Sequence, residues 1–341
     1  MIYGCCVRRS SFVLRPFMSM NLQTTIIKAL RRVGDTTPVR DLAVVGGGCI
    51  SQALRLETER GSYLLKTSEE QLPGFFEAEA KGLQLIASTN TVRVPEVLAY
   101  HDAVPADDQR RMTNDENDES DNPSFVRRPS SVVESSFILL EWLQPPPHAD
   151  HRAAAAHLGY ALAALHRTCA AAYGLEHDNY LGTSRQVNAW TPGWTAFFRE
   201  HRLLFQAELA MRNGYWNNER ARRMERVLDQ LDKWIDDSQV QPSLIHGDLW
   251  SGNYLVGPDG GPALIDPAVY YGDREAELAY TAMFTPFPEA FYRAYEEAWP
   301  LPDGWRERRP LYNLYHLVNH LNHFGESYGS AVDSVLKQYA G

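Results

Sequence analysis

Up to about residue 143, apolar positions alternate with polar ones or cluster in short runs; beyond it they recur at helical spacing. The chain therefore predicts a strand-rich unit followed by a helix-rich one. Strand character flanks the glycine cluster of VVGGGCIS, Val44 to Ser51, alternation resumes in ALRLET, and SYLLKT adds an apolar run that ends near Lys66. FFEAEAKGLQLIA then switches to helical period. VLAY (Val97 to Tyr100) reads as strand, and FILLEWL (Phe137 to Leu143) reads as a fully buried strand running into the Pro145 to Pro147 break. HRAAAAHLGYALAALHRTCA, WTAFFREHRLLFQAELAM, REAELAYTAMF and NLYHLVNHLNHF are all helical patterns, with short apolar runs at Ser243 to Ile245 and Ala263 to Ile265 between them.

The expected fold is α+β and two-lobed. A smaller N-terminal lobe, residues 21–143, carries an antiparallel sheet and one main helix, and residues 144–341 form a larger, mostly helical lobe. Two segments are expected outside it. Residues 1–20 hold arginines and no acidic residue, as a disordered leader or a transit peptide would, and Met18 and Met20 offer later starts. Residues 102–136 are rich in Asp, Glu, Asn, Ser and Pro, which predicts a disordered hairpin insertion whose serines (Ser130, Ser131, Ser135, Ser136) belong to a solvated loop.

Charge narrows the partners. A formal net charge of -10 argues against nucleic acid, which usually meets a basic face. No apolar run is long enough to span a bilayer. The four cysteines (Cys5, Cys6, Cys49, Cys169) are too few and scattered for a disulfide framework, so a reducing, cytoplasmic setting is the default, with organellar targeting by residues 1–20 left open.

The chemistry concentrates in HGDLWSGN, His246 to Asn253, and in LIDPA, Leu264 to Ala268. Phosphoryl transfer from ATP needs an Asp at the acceptor hydroxyl, an Asn a few residues on to hold a metal ion, and a second Asp at a following strand end to bridge metal and triphosphate. Asp248, Asn253 and Asp266 fit in that order. An isolated Asp or Asn in a glycine-containing loop would more simply cap a turn; the preceding strand-like runs favour the catalytic reading. His246 then braces the loop, because Asp248 holds the base position.

Upstream, Gly46, Gly47, Gly48, Cys49 and Ser51 could close a hairpin over phosphates, or form an ordinary tight turn. Lys66 suits contact with the α and β phosphates, with Glu79 or Glu77 as its partner. Backbone near Glu141 and Leu143 would meet adenine. The required cofactors are ATP and magnesium. The helical pattern at Arg274 follows Asp266 too soon for an activation segment that grips a peptide, so the acceptor is expected to be small, with a pocket made by C-terminal helices. His316, His320 and His323 share one helical face; that spacing can bind zinc, but core packing or interhelical hydrogen bonding fits better.

From about Asn21 onward the chain resembles the fructosamine kinase (ketosamine 3-kinase) family, within the aminoglycoside-phosphotransferase branch of protein-kinase-like folds. The resemblance rests on GGGCIS, FEAEAKGL, NYLG (Asn179 to Gly182), HGDLWSGN, DPAVYYGDREAELA (Asp266 to Ala279) and NHLNHFG (Asn319 to Gly325). It implies ATP-dependent phosphorylation of the third-carbon hydroxyl of fructosamines or ribulosamines, free or protein-bound, with Trp250 and His323 facing the sugar or its amine substituent. It also implies that Cys49 could form an intersubunit disulfide, making the protein a monomer or a redox-sensitive homodimer. Other readings are a kinase for an aminoglycoside, choline or homoserine-like acceptor, a nucleotide-binding pseudokinase, and, less readily, a protein kinase. DPAVYYGDRE argues against the first, the intact Lys66, Asp248, Asn253 and Asp266 against the second, and the missing activation segment against the third.

Overall fold

The computed structural model describes residues 19–46, 51–70, 72–103 and 135–340. Contacts divide the chain into two compact units, Met1–Ala80 with Glu96–Trp142, and Lys81–Pro95 with Leu143–Gly341. Residues 1–18 of the expected leader, Gly47, Gly48, Cys49 and most of the expected insertion lie outside the described residues, whereas Ser19 and Met20, placed in the leader by the sequence, open the first helix.

The first unit is a five-stranded antiparallel sheet in the order β1-β2-β3-β5-β4. Its strands are β1 (Asp41–Val45), β2 (Gln52–Glu57), β3 (Ser62–Ser68), β4 (Val97–His101) and β5 (Ser136–Glu141). One face is covered by α1 (Met20–Arg32), whose Ile26, Ala29 and Leu30 pack with Leu54, Leu56, Leu65, Phe137 and Leu139. Ser19 caps α1 by accepting the Leu22 N–H.

Helix α2 (Phe75–Ser88) takes its cap from outside its own segment. The Asp102 carboxylate accepts the N–H groups of Phe76 at 2.9 Å and Glu77 at 2.8 Å, orphan donors of the first turn. Asp102 therefore belongs to the fold and not to an insertion. So does Ser136, buried in β5, whose Oγ accepts the Ala103 N–H at 3.0 Å. Their serine-and-aspartate composition reads as solvated loop, but each satisfies a backbone donor.

Residues 81–95 group with the second unit, whereas the sequence placed everything to 143 in the first lobe. The reason is apolar: Ile86 and Val92 join the second unit's core, and Gly82 sits so close to Pro267 and Val269 that a Cβ there would lie 3.3 and 3.4 Å from their side chains.

The second unit contains α3 (His151–His166), hairpin β6–β7 (Asn179–Leu181, Ser184–Gln186) and a continuous helix, α4. α4 is α-helical over Trp194–Phe197, π-helical over Phe198–Leu204 and α-helical again over Phe205–Arg212. Then come α5 (Asn218–Leu228), β8 (Ser243–Ile245), β9 (Tyr254–Val256), β10 (Pro262–Leu264) and β11 (Tyr270–Gly272). α6 (Arg274–Tyr280), α7 (Glu289–Ala298), α8 (Trp305–Phe324) and α9 (Gly329–Ala340) complete it. β8 pairs with β11 and β9 with β10, so the segments holding the candidate catalytic residues are loops pinned at both ends by short ladders. α3 and α7 approach closely at Gly159, where a Cβ would stand 2.3 Å from the Phe291 carbonyl oxygen.

Candidate active site

The loop after β8 is held from beneath by one carboxylate. Glu277, buried on α6, accepts the backbone N–H of His246 at 3.0 Å and of Gly247 at 2.8 Å. His166, buried on α3, meets the same carboxylate through Nε2 at 2.8 Å while its Nδ1 lies 2.8 Å from the Tyr295 hydroxyl. Since the carboxylate can only accept, Nε2 carries the proton and Nδ1 accepts from Tyr295. Burial alone would raise the Glu277 pKa, but the hydrogen bonds from His166 and the loop bring it below the usual carboxylate value. Gly247 has φ +81°, and a Cβ there would fall 2.1 Å from the Ala268 carbonyl oxygen, so only glycine fits.

The His246 ring is fully committed. Its Nε2 donates to the Ile265 carbonyl at 2.9 Å and its Nδ1 accepts the Asp248 N–H at 3.3 Å, while burial lowers its pKa. Both ring positions thus brace the loop, as the sequence suggests for His246. Asn253 turns its Nδ2 onto Asp248, donating to the backbone oxygen at 2.8 Å and to Oδ2 at 3.0 Å. The Tyr280 hydroxyl also donates to the Asp248 carboxylate. Burial and the Asp266 carboxylate nevertheless push the Asp248 pKa up to about 8 against those two hydrogen bonds.

Asp266 has φ +57°, one of two non-glycine residues with positive φ among those described. An Asp tolerates that region at some cost, and such strain persists only where the surroundings enforce it. Here they do. Asn179 of the NYLG segment donates to the Val269 carbonyl at 2.8 Å, and Gln186 donates to the Ala268 carbonyl at 3.0 Å while accepting from the Tyr315 hydroxyl at 2.8 Å. Beneath them the buried Arg202 guanidinium lies 3.9 Å from the Tyr270 ring centroid and donates to the Val187 carbonyl and Asn188 Oδ1.

The geometry suits a divalent cation at Asn253 and Asp266. With Nδ2 spent on Asp248, Asn253 keeps an Oδ1 that accepts no hydrogen bond from a described residue, and a cation beside Asp266 would relieve the repulsion that raises Asp248. Among the described residues no three His, Cys, Asp or Glu side chains are grouped to hold a metal. Two protein oxygens supplemented by phosphates and water is the habit of magnesium.

In the first unit, Lys66 on β3 pairs with Glu79 on α2 at 2.6 Å, the lysine buried and the glutamate nearly so. Of the two partners the sequence leaves open, Glu79 is thus in contact with Lys66, and the Glu77 backbone N–H is one of those capped by Asp102. Gly46 is exposed and Ser51 leads into β2. The Glu141 N–H donates to the Glu96 carbonyl at 2.9 Å and so is unavailable to adenine; Leu143 is buried.

His323 donates from Nδ1 to the Asn319 carbonyl of its own helix at 2.8 Å and accepts the Thr183 N–H of the β6–β7 turn at Nε2 at 3.1 Å, so both ring nitrogens are engaged within the fold. His320 is the histidine that joins Trp250's surroundings: the Phe284 ring lies 6.5 Å from Trp250 and 5.1 Å from His320, centroid to centroid. The helix bends its own logic here, because His320 uses Nδ1–H on the His316 carbonyl at 2.7 Å and His316 stacks on Tyr280 at 3.6 Å, leaving no converging zinc set. Glu277, Tyr280 and Asn179 are the residues the motifs contained but sequence reasoning left without a role.

A family model for fructosamine kinase matches residues 22–340. A probable ketoamine kinase of Enterococcus faecium is 36% identical over 320 residues, 94% of this chain and 100% of the relative. The chloroplastic protein-ribulosamine 3-kinase of Oryza sativa subsp. indica is 33% identical over 308 residues, covering 90% of this chain and 80% of the relative. A crystal structure described as a "putative fructosamine-3-kinase" from Thermobifida fusca superposes with a TM-score of 0.73 at 30% identity, covering 91% of this chain and 96% of that one.

Proposed function

The chain belongs to the fructosamine kinase family and has its two-lobed, protein-kinase-like α+β fold, and from that premise we propose that it is an ATP-dependent kinase acting on the 3-hydroxyl of ketosamines, the sugar adducts of amines. The observation that carries the reading is the Asp248–Asn253 hydrogen bond beside Asp266, because it places a carboxylate oxygen for the acceptor and leaves an amide oxygen for a cation. Relatives named ketoamine kinase and protein-ribulosamine 3-kinase support the acceptor class.

In this reading Lys66, held by Glu79, contacts the nucleotide phosphates, with Gly46 and Ser51 at the ends of the glycine segment and the backbone at Leu143 toward adenine. Asn253 and Asp266 hold magnesium, which when bound neutralises charge on the transferring phosphoryl group. Asp248 orients the acceptor hydroxyl and takes its proton, while Asn253 and Tyr280 fix the rotamer. Most of the rate enhancement then comes from positioning and charge neutralisation. α6 begins at Arg274 directly after β11, which supports a small acceptor group.

No helix of the described residues is long and apolar enough to cross a membrane. We place the enzyme in the cytoplasm by its cysteine usage; the rice relative is chloroplastic. The test is incubation with ATP, magnesium and ribulosamine or fructosamine side by side, with the phosphorylated carbon read by NMR. Phosphate on the third carbon is expected; transfer to another carbon, or only to an unrelated alcohol, overturns the reading.

A further inference from the structure

At the end of α6 away from Tyr280, the second unit holds a cavity of about 380 Å³, enclosed by the start of α6, by α8, by the turn from α7 into α8 and by residues 234–241. That volume falls in the range of small-molecule pockets. None of the residues assigned to phosphoryl transfer lines it.

Its charge is one-sided. Asp236, Asp273, Glu275 and Asp303 line it against two cations, Arg274 and Arg308, and both guanidinia are already committed. Arg308 forks onto the two oxygens of Glu275, each at 2.8 Å. Arg274 lies 3.9 Å from the Trp299 ring centroid and donates to the carbonyls of Trp299 at 3.1 Å and Pro300 at 2.7 Å. The carboxylates of Asp236 and Asp303 are exposed and meet no cation among the described residues. Asp273 is buried. Its oxygens accept the Glu275 N–H and the Tyr312 hydroxyl, yet burial and the neighbouring Glu275 raise its pKa above the ordinary carboxylate value, a strain that a positive charge in the cavity would relieve.

A second observation is independent of these acids. Ser243 of β8 is wholly buried and lines the same cavity, and its Oγ has no hydrogen-bond partner among the described residues beyond a weak interaction with the Cys169 thiol. Buried hydroxyls are seldom left so, and this one can accept an N–H. A bare metal ion does not fit, since no three His, Cys, Asp or Glu side chains among the described residues are grouped to hold one. The remaining wall is aromatic, with Trp234, Trp299 and Tyr312, which suits the apolar stem of an organic cation.

We propose that this cavity is a second ligand site, for a small organic cation of the alkylammonium class, with Asp236 and Asp303 at its rim and Asp273 and Ser243 on its buried side as the polar partners. The site does not depend on the ketosamine reading. α6 carries the lining residues at its start, and Glu277 and Tyr280 follow within about 10 Å along its axis. Occupancy therefore firms the helix on which the catalytic loop rests.

The test is calorimetry on the full chain without nucleotide, using cadaverine as the probe and glutarate and 1,5-pentanediol as anionic and neutral molecules of similar length. Cadaverine is expected to bind saturably and at least about tenfold more tightly than either, because hydrogen bonds to charged partners are the stronger kind. Asp236→Asn with Asp303→Asn, at exposed positions where an amide leaves the fold intact, should weaken it by about tenfold or more, and Ser243→Ala by about threefold. Cadaverine should also slow amide hydrogen exchange over residues 274–280 in the wild type and not in the double variant. Absence of saturable binding, binding of glutarate as tight as that of cadaverine, or full affinity in the double variant each overturns the inference. Displacement of cadaverine by ribulosamine would put it in the active site and overturns it as well. Phosphorylation of ketosamines is measured separately, so the proposed function stands or falls on its own experiment.

Discussion

The catalytic loop and the Lys66 region are both built around a buried carboxylate, but the two carboxylates work differently. Glu79 answers the Lys66 ammonium, at 2.6 Å, on elements already fixed by a five-stranded sheet and a capped helix. Glu277 answers two backbone N–H groups and a neutral histidine, and the loop above it has no regular structure of its own until Ser251. Where a strand carries a functional residue, the ion pair that aims it starts from backbone the sheet already holds. Where a loop must carry it, the protein supplies buried polar partners in number, and accepts a glycine with no room for a Cβ and an Asp at positive φ.

The strongest test of that contrast is at the reacting centre. Asp248→Ala is expected to lower kcat by about a hundredfold to ten-thousandfold, the usual range for losing a general base. ATP affinity, measured by calorimetry in the presence of magnesium, should stay near wild type. Lys66→Met should do the reverse, weakening ATP use most. If Asp248→Ala kept wild-type turnover on the best ketosamine, Asp248 would leave the mechanism.

Next in size are the two supporting carboxylates. Glu277→Gln puts an amide N–H₂ against groups that already donate, and leaves at least one buried donor unpaired, so we expect about 3 to 5 kcal/mol of lost stability. Glu79→Gln keeps a neutral hydrogen bond to Lys66 and should cost about 1 kcal/mol while raising KM for ATP. Urea denaturation of both variants reads the difference, and equal losses would mean that the loop is no more dependent on its carboxylate than the strand is.

That asymmetry also explains what the sequence discloses. Lys66, Asp248, Asn253 and Asp266 are legible because each sits at a fixed offset from an apolar run, and α6 at Arg274 because its period changes there. Glu277 is hidden: an acidic residue in REAELAY reads as a solvated helix face, and only tertiary burial makes it a ligand for loop amides. Arg202 is hidden for the same reason, lying mid-helix in a stretch whose α-to-π change has no local signature. His323 went the other way. Its place in NHLNHFG suggests an acceptor contact, but the helix aims it at the Thr183 turn and turns His320 toward Phe284. Asp102 and Ser136 have loop-like neighbours and structural partners, which composition does not distinguish.

A pH titration separates the two regions at about a third the size. Burial lowers the pKa of His166, His246 and His316, all in the second unit. The unfolded chain protonates such histidines near pH 6.5, so below that pH the unfolded state binds more protons and each contributes about 1.4 kcal/mol of lost stability per pH unit, down to its folded pKa. Asp248 and Asp273, raised to about 8 and 7, take up protons in the folded state and oppose the trend. The clean readout is therefore a difference. His316→Phe keeps the stack on Tyr280 and removes an Nδ1 that has no hydrogen-bond partner, so its stability curve should be flatter than wild type by about 0.7 kcal/mol per unit at pH 6.5, rising toward about 1.4 a pH unit lower. Parallel curves would show that His316 titrates normally in the folded protein.

The smallest expected effect concerns the segment 104–134. Its ends are already joined in the first unit: the Ala103 N–H reaches Ser136 Oγ at 3.0 Å, close enough for a short glycine bridge to replace everything between. A long polar loop adds only a slowly growing closure term, so removing it should change stability by less than about 1 kcal/mol and leave turnover unchanged. The comparison that gives this meaning is Asp102→Ala, one residue outside the deletion. It strips the cap from α2, the helix bearing Glu79, and should cost about 1 kcal/mol by itself, with a rise in KM for ATP as Lys66 loses its fixed partner. Thermal melts and ATP kinetics of the two variants together locate the edge of the fold between residues 102 and 104. A deletion that melts well below the Asp102→Ala variant would show that residues 104–134 contribute packing of their own.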